Sequence, residues 1–454
     1  MVMKKTKTIL LFIKIIFLAL IIFSCATSSR AFLEMDFAVL HHDFYSAIHM
    51  IVSAQSGNRV IYRENNAISL FMDKGLLEYY AGNYAASSLD LQNAERLIEE
   101  AYTRSISQSF LTYIANDNAK DYPGEDFEDI YLNVFNALNY YNTGNIDGAL
   151  VEIRKLTIPN GKLDMLSRKY EYIDPSTGAN LSAMAQRETG ISQLPEVKSV
   201  NFSNSALARY IGALLYQGAG DPDAARIEFD QVYRAFNTNN NIYRTAVPPA
   251  VEQARNIPSG QARLNIISFT GLSPIKEEAH IIHTLPFQHS LLRSASFKLP
   301  VLVRRPNIIT RIEVAVDGKG SFDLELLEDM SAIMEETFNA RFSNILLKTY
   351  IRTIIKYSVA DLIAAETARN VGEMAGFLSA LAAKTALEAS EAADIRMSRY
   401  LPDKAYIGGI NLDPGIYSVT ISYYSGNRVI SQERHTDIMV NNNRLNLLQS
   451  VNLR

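Results

Sequence analysis

The sequence predicts an α+β protein. A mainly α-helical, interrupted solenoid of hairpins is followed by a small β-sandwich-like domain with an inserted pair of long helices. Three observations predict this. A helix–turn–helix pattern recurs four times before residue 245. The hydrophobic period changes from helical to alternating after "NTNNN" (237–241) and "VPP" (247–249). Helical, Ala-rich sequence then returns over 328–398, between strand-like segments. The expected boundaries are 1–24, 25–30, 31–245, 246–327, 328–398 and 399–454.

The N-terminus has the form of an export signal. Lys4, Lys5 and Lys7 precede an apolar run from Ile9 to Phe23, broken only by Lys14. That run is shorter than the ~20 residues a membrane-crossing helix needs. Cys25, the only cysteine of 454 residues, follows Ile22-Phe23-Ser24. The arrangement resembles a bacterial lipobox, which implies cleavage after residue 24 and diacylglycerol plus an N-acyl chain on Cys25. Several acyl chains hold a protein stably on a bilayer, whereas one does not. A reactive thiol would need a basic, structured setting, and Ala26-Thr27-Ser28-Ser29-Arg30 supplies none. Ala26 stands where an aspartate retains many such lipoproteins in the inner membrane, so the outer membrane, at its periplasmic face, is the favoured address.

Removing residues 1–24 takes away four lysines and no acid, moving the net charge from −4 to −8. There is no long basic run and no basic–aromatic patch, which argues against nucleic acid as a partner. A single cysteine allows no intrachain disulfide, so stability must come from packing.

The four hairpins read "LHHDFYSAIHMI" (40–51), "YAGNYAASSLDLQNAE" (80–95), "YNTGNIDGALVEIRKL" (141–156) and "QGAGDPDAARIEFDQV" (217–232). Gly82, Gly144 and Gly220 permit a left-handed turn, and His42 takes that place in the first. Small residues (Gly75, Ser87, Ala137, Ala149, Ala213, Ala225) let paired helices approach, with Leu91, Ile153 and Phe229 at helical spacing. Phe71, Tyr140 and Tyr216 take bulky positions. These are the places of bulky and small residues in a tetratricopeptide-like (TPR-like) repeat. One hairpin cannot bury its apolar face alone, so such units stack. Only the first gap between turns is near the ~34-residue period of a regular array. Inserts at 103–129 and 157–203 interrupt the rest.

Beyond the boundary, "RLNIISFT" (263–270) reads as a strand. Residues 311–326 alternate Ile312, Val314 and Val316, then Phe322, Leu324 and Leu326, about an Asp317-Gly318 turn. The 328–398 segment is too charged to span a bilayer and fits two long antiparallel helices. Tyr417, Val419, Ile421 and Tyr423 then share a strand face before a Ser425-Gly426-Asn427 turn.

Three stretches resemble a bacterial lipoprotein family with TPR-like repeats, usually labelled uncharacterised. They are "NDNAKDYPGEDFEDIYLNVFNALNYYNTGNIDGALVEIRKL" (116–156), "GLSPIKEEAHI" (271–281) and "EAADIRMSRYLPDKAYIGGINLDPGIYSV" (391–419). Met397-Ser398-Arg399 stands where the family commonly has tryptophan. The resemblance implies a membrane-anchored periplasmic scaffold with a C-terminal β-region and no established reaction.

No phosphate loop, nucleophile elbow or H-E-x-x-H is present. His41 and His42 are expected to pack at the first turn. His280 and His283 are the weak candidates for zinc, but the neighbouring prolines and Ile281-Ile282 favour an extended segment that points them apart. The acidic insert holds Asn116, Asp117, Asn118, Asp121, Tyr122, Gly124, Glu125, Asp126, Glu128 and Asp129. It lacks the calcium-loop order, and reads as a capped helix start, a structural joint or a partner surface. Asp394 and Arg396, two apart on a helix, would not face each other and would each pair elsewhere. The expected function is a non-catalytic scaffold for an envelope protein, with no cofactor beyond the lipid. The alternatives are an envelope enzyme or a ligand carrier using the 116–129 insert or the cleft between the helical and β domains.

Overall fold

The computed structural model describes residues 31–56, 61–105, 120–171, 202, 204–284, 292 and 294–454. Cys25, Asn116, Asp117 and Asn118 fall outside them. The helical part runs α1 (31–40), α2 (Phe44–Ser56), α3 (Ala67–Tyr80), α4 (Tyr84–Ser105), α5 (Asp126–Asn142), α6 (Ile146–Thr157), α7 (Lys162–Glu171), α8 (Ala206–Gly218), α9 (Pro222–Thr238) and α10 (Pro249–Arg255).

Four hairpins, α1–α2, α3–α4, α5–α6 and α8–α9, turn in the same way. His42, Gly82, Gly144 and Gly220 take φ of 61°, 80°, 77° and 78°. The next residue's N–H then bonds the carbonyl five residues back: Asp43 to Ala38, Asn83 to Glu78, Asn145 to Tyr140 and Asp221 to Tyr216, at 2.8–2.9 Å. This is the Schellman closure, which satisfies carbonyls that a helix end leaves open. Asp43, Asn145 and Asp221 then cap the second helix through a side-chain oxygen.

Burial repeats with the turn. Seven residues before it lie Met35, Gly75, Ala137 and Ala213; five after it, Ala47, Ser87, Ala149 and Ala225; nine after it, Ile51, Leu91, Ile153 and Phe229. All twelve are buried. A Cβ on Gly75 would stand 2.8 Å from Leu91 Cδ2, so α3 and α4 approach more closely there than alanine allows. The hairpins stack in order, α2 on α3, α4 on α5, α6 on α8.

The strands are β1 (Ala262–Leu272), β2 (Ile275–Thr284), β3 (Ser294–Val303), β4 (Arg311–Val316), β5 (Gly320–Asp323), β6 (Glu325–Asp329), β7 (Pro402–Leu412), β8 (Gly415–Ser425), β9 (Arg428–Val440) and β10 (Asn446–Asn452). One sheet has the order β10-β1-β7-β6 and another β5-β4-β8-β9. β1 runs parallel to β10 and antiparallel to β7. The two sheets share a core of Leu264, Ile266, Ile312, Val314, Val419, Ile421 and Tyr423.

Ile267, Phe269, Ala405 and Ile407 face the other way, into the core of the helical stack. Phe135 of α5 meets Phe269 with ring centroids 5.0 Å apart. β1 is therefore covered on both faces and buried along its whole length, as a two-sided strand with a continuous apolar run must be. The first helices of the hairpins, α3, α5 and α8, turn their inner face onto this sheet.

The structure departs from the sequence reading in three places. β2 and β3 leave the two sheets, pair with each other, and pack Ala295 and Phe297 against the inserted helices. The alternation through Phe322, Leu324 and Leu326 is cut at Leu324: β5 belongs to one sheet and β6 to the other. The helical insert ends at Ser390, where 391–398 was expected to stay helical. Its helices are α11 (Met330–Val371) and α12 (Glu373–Ser390), folded together at Gly372 (φ 113°). Among the described residues, no helix is long and apolar enough to cross a membrane.

Candidate functional site

The described part of the first stretch (120–156) meets 271–281 and 391–419 in space, at a joint between the helical stack, β2 and α11. Residues 391–401 thread it. Ala392 and Ala393 favour helix, yet acids from other elements take the N–H groups a helix would use. Glu278 accepts from Ala393 N (2.8 Å), Glu128 from Ser398 N (2.5 Å) and Asp73 from Arg399 N (2.6 Å). This tertiary competition corrects the helical reading of 391–398. It also corrects the pairing of Asp394 and Arg396, which bind each other in a fork of two 2.8 Å bonds. The remaining Arg396 nitrogen donates to the carbonyls of Asn65 (2.8 Å) and Lys120 (2.7 Å). Burial alone would raise the Asp394 pKa, but Arg396 holds it below the usual carboxylate range.

The insert supplies the other half. Gly124 takes φ 81°, and Glu125 and Glu128 are buried at the start of α5. Glu128 reaches back to Glu125 N (2.7 Å), as the third residue of a capping box does, and accepts from the Tyr122 hydroxyl (2.8 Å). Asp126 lies partly buried in that first turn. Burial and the nearby Glu125 charge push Glu128 up to about 7. Glu125 itself bridges Lys276 of β2 and Arg341 of α11, the latter at 2.6 Å. The Lys276 and Arg396 cations stand 5.8 and 5.4 Å from the Tyr122 ring centroid, within reach of its π face. Tyr122, Gly124, Glu125 and Glu128 are thus brought together, as parts of the joint.

Two acids outside the insert complete the docking. Asp73 of α3 accepts from Tyr62 (2.6 Å), Ser398 Oγ (2.7 Å) and the Arg399 amide, and burial pushes it up to about 6. Glu328 of β6 gathers Tyr131 (2.8 Å), Tyr243 (2.6 Å), Ser205 (2.9 Å) and Leu207 N (3.0 Å), binding the sheet to α5 and α8. Burial raises its pKa too.

Between these elements opens a cleft of about 490 Å³. Its lining includes the cations Lys120, Lys276, Lys298, Arg341, Lys348, Arg352 and Arg396, with Asp121, Glu125 and Asp394. No protein-family model, curated protein or solved structure matches the chain. The cleft is therefore read from its own chemistry.

The other residues singled out from the sequence lie elsewhere. Gly82, Gly144 and Gly220 form hairpin turns. His41 is exposed, and His42 packs 5.8 Å from the Phe44 ring. β2 is extended, so positions 280 and 283 fall on opposite faces. His280 is exposed, with Nε2 3.2 Å from Glu278, and the His283 side chain lies outside the described residues. Among the described residues no group of three or more His, Cys, Asp or Glu is arranged to hold a metal.

Sequence reasoning missed Asp73, Glu328, Lys276 and Arg341, whose partners lie far along the chain. It also missed a buried acid eight residues after three of the turns: Asp90, Glu152 and Glu228. Each meets a cation, Lys74 (2.8 Å), Lys155 (3.1 Å) and Arg209 (3.1 Å). That fixed offset was a signal the sequence carried.

Proposed function

We propose that the protein is a non-catalytic scaffold of the cell envelope, lipid-anchored through Cys25, whose interrupted TPR-like stack binds a partner protein. One observation carries this reading. The inner face of the stack is covered by the chain's own sheet, but three of the four second helices repeat an exposed apolar residue seven positions after the turn. These are Leu89, Val151 and Ile227, exposed by 62, 48 and 50%. Apolar side chains left in water at one repeated position suit contact with another protein. Of the acids Asp117, Glu125 and Asp126 that an enzyme could use, Glu125 is held in ion pairs with Lys276 and Arg341, and Asp117 lies outside the described residues.

The test replaces Leu89, Val151 and Ile227 together by glutamate. The expected result is an unchanged unfolding midpoint and loss of the envelope protein crosslinked to a photoreactive residue placed at exposed Asp147, one helical turn before Val151. Crosslinking to the same protein at wild-type yield would overturn the reading. The anchor is tested separately: Cys25→Ser should move the chain out of the membrane fraction, and its retention there would remove the lipid from the proposal.

A further inference from the structure

We propose that the outer face of α1 lies against the lipid surface, which closes the open end of the helical stack. This rests on the reading that Cys25 carries the lipid anchor. The stack itself shows which face is open. In the later hairpins the first helix leans on the hairpin before it, through positions five, eight and nine residues ahead of the turn. Asn139 of α5, five ahead, donates to Ser87 Oγ of α4 (2.8 Å). Gly212 of α8, eight ahead, comes so close to α6 that a Cβ would stand 2.9 Å from Ile153 Cγ2. Phe135 of α5, nine ahead, meets Tyr79 of α3 with ring centroids 5.0 Å apart. In these three hairpins the residues five and nine ahead are all buried: Leu77, Asn139 and Leu215, then Asp73, Phe135 and Ile211.

Among the described residues α1 has no hairpin before it. Its residues at the same places are Phe37, Glu34 and Leu33, and Phe37 and Leu33 are 65 and 69% exposed. The exposed His41 flanks the Phe37 ring, with centroids 4.1 Å apart. The end unit of a stacked array in water presents a polar outer face, whereas this one keeps the apolar residues of an inner face. The length of the linking chain makes lipid the cover. α1 begins at residue 31, six residues after Cys25, and six residues reach at most about 20 Å. An acylated Cys25 therefore holds this end of the stack next to the bilayer. Leu33 and Phe37 stand at i and i+4, on one side of the helix, so both enter the interface together, as the apolar residues of an interfacial helix do. Two side chains bury too little to hold a protein on a membrane. The contact orients a chain that the acyl groups already hold.

The chain has no tryptophan, so Phe37→Trp gives the acylated full chain a single indole. The variant is reconstituted in phosphatidylcholine vesicles with and without brominated acyl chains, and flotation scores the anchor. The expected result is flotation with an indole emission roughly halved in the brominated vesicles, because an interfacial residue sits about 5–10 Å into the headgroup–acyl boundary. Leu33→Trp, one turn away, should be quenched likewise, and carries the test if the first variant misfolds. Ile227→Trp, on the last hairpin and at a site 50% exposed, should keep its emission. Flotation without quenching at 33 and 37, or with equal quenching at 227, would overturn the proposal and leave the anchor standing. Failure to float would remove the anchor and this inference with it. Unquenched indoles whose emission turns blue as the chain dimerises would give the face to a second copy. An unquenched blue emission in the monomer would give it to residues 1–30, and either result overturns the assignment to lipid.

Discussion

The hairpin turns and the joint between stack and sheet are held by opposite means. Each turn is local: one residue at positive φ and one backbone bond close it, and the unit repeats along the chain. The joint is distant and singular: Asp73, Glu128 and Glu328 each gather donors from separate elements, and each is used once. A repeated local unit tolerates the loss of one bond, because its neighbours keep their own. A single carboxylate that collects three or four buried donors leaves all of them unsatisfied when it goes. The joints differ among themselves as well. Glu125 and Asp394 meet cations and stay in an ionic network. Asp73, Glu128 and Glu328 meet mainly neutral hydroxyls and amides, so their charge is costly and their pKa values rise.

The largest break in this comparison is Glu328→Ala. It strands the Tyr131, Tyr243 and Ser205 hydroxyls and the Leu207 amide, and should cost on the order of 4 kcal/mol in denaturant unfolding. Glu328→Gln, which keeps the shape and one acceptor, should recover much of that loss. Equal losses in the two would show that shape alone, and not the donors, sets the cost.

Next comes pH. Asp73 and Glu128 hold their protons to about 6 and about 7 in the folded chain, against about 4 for ordinary carboxyls. The folded state therefore binds more protons than the unfolded state between those values. Their contribution to stability is full below about pH 4 and is lost as pH rises through 6–7, on the order of 3 kcal/mol for each group. Asp73→Asn and Glu128→Gln should flatten the fall of the urea midpoint between pH 4.5 and 8; an unchanged slope would contradict the assignment. Glu95 provides the reverse sign. Burial would raise its pKa, but Lys162 and Lys155 hold it down to about 2. Its contribution is present above the ordinary carboxylate range and disappears as pH falls toward 2.

The smallest effects belong to the turns. Gly144→Ala places a side chain at φ 77° and should lower stability by about 1 kcal/mol. His42→Gly relieves the same strain and should raise it by a similar or smaller amount, since the imidazole's packing on Phe44 is also lost. Thermal unfolding of the two variants measures both. Shifts of equal sign would mean that the four turns are not equivalent.

What the sequence revealed follows the same division. His42, Gly82, Gly144 and Gly220 were legible because the turn, its cap and its small neighbours lie within about fifteen residues. The β8 face through Val419, Ile421 and Tyr423 was legible from its alternation. The 391–398 segment was misread because alanine propensity points to helix, while the groups that override it, Glu278, Glu128 and Asp73, are set by tertiary structure. The basic stripe of α11 was present in the sequence at helical spacing, but the cleft it lines together with Lys276 and Lys298 was not, because those two stand on a strand pair whose departure from the two sheets has no local signature.

The double covering of β1 has a consequence in time. Ile267 pairs with Ile407 on one side and Gln449 on the other, so its sheet is finished only when the last strand has been synthesised. The hairpins can close as soon as they emerge, because their contacts are local. From then until residues 402–452 arrive, Tyr79, Phe135 and the rest of the inner face have no sheet to cover them. That interval is when the chain is most open to aggregation and most dependent on whatever holds it unfolded or shields it.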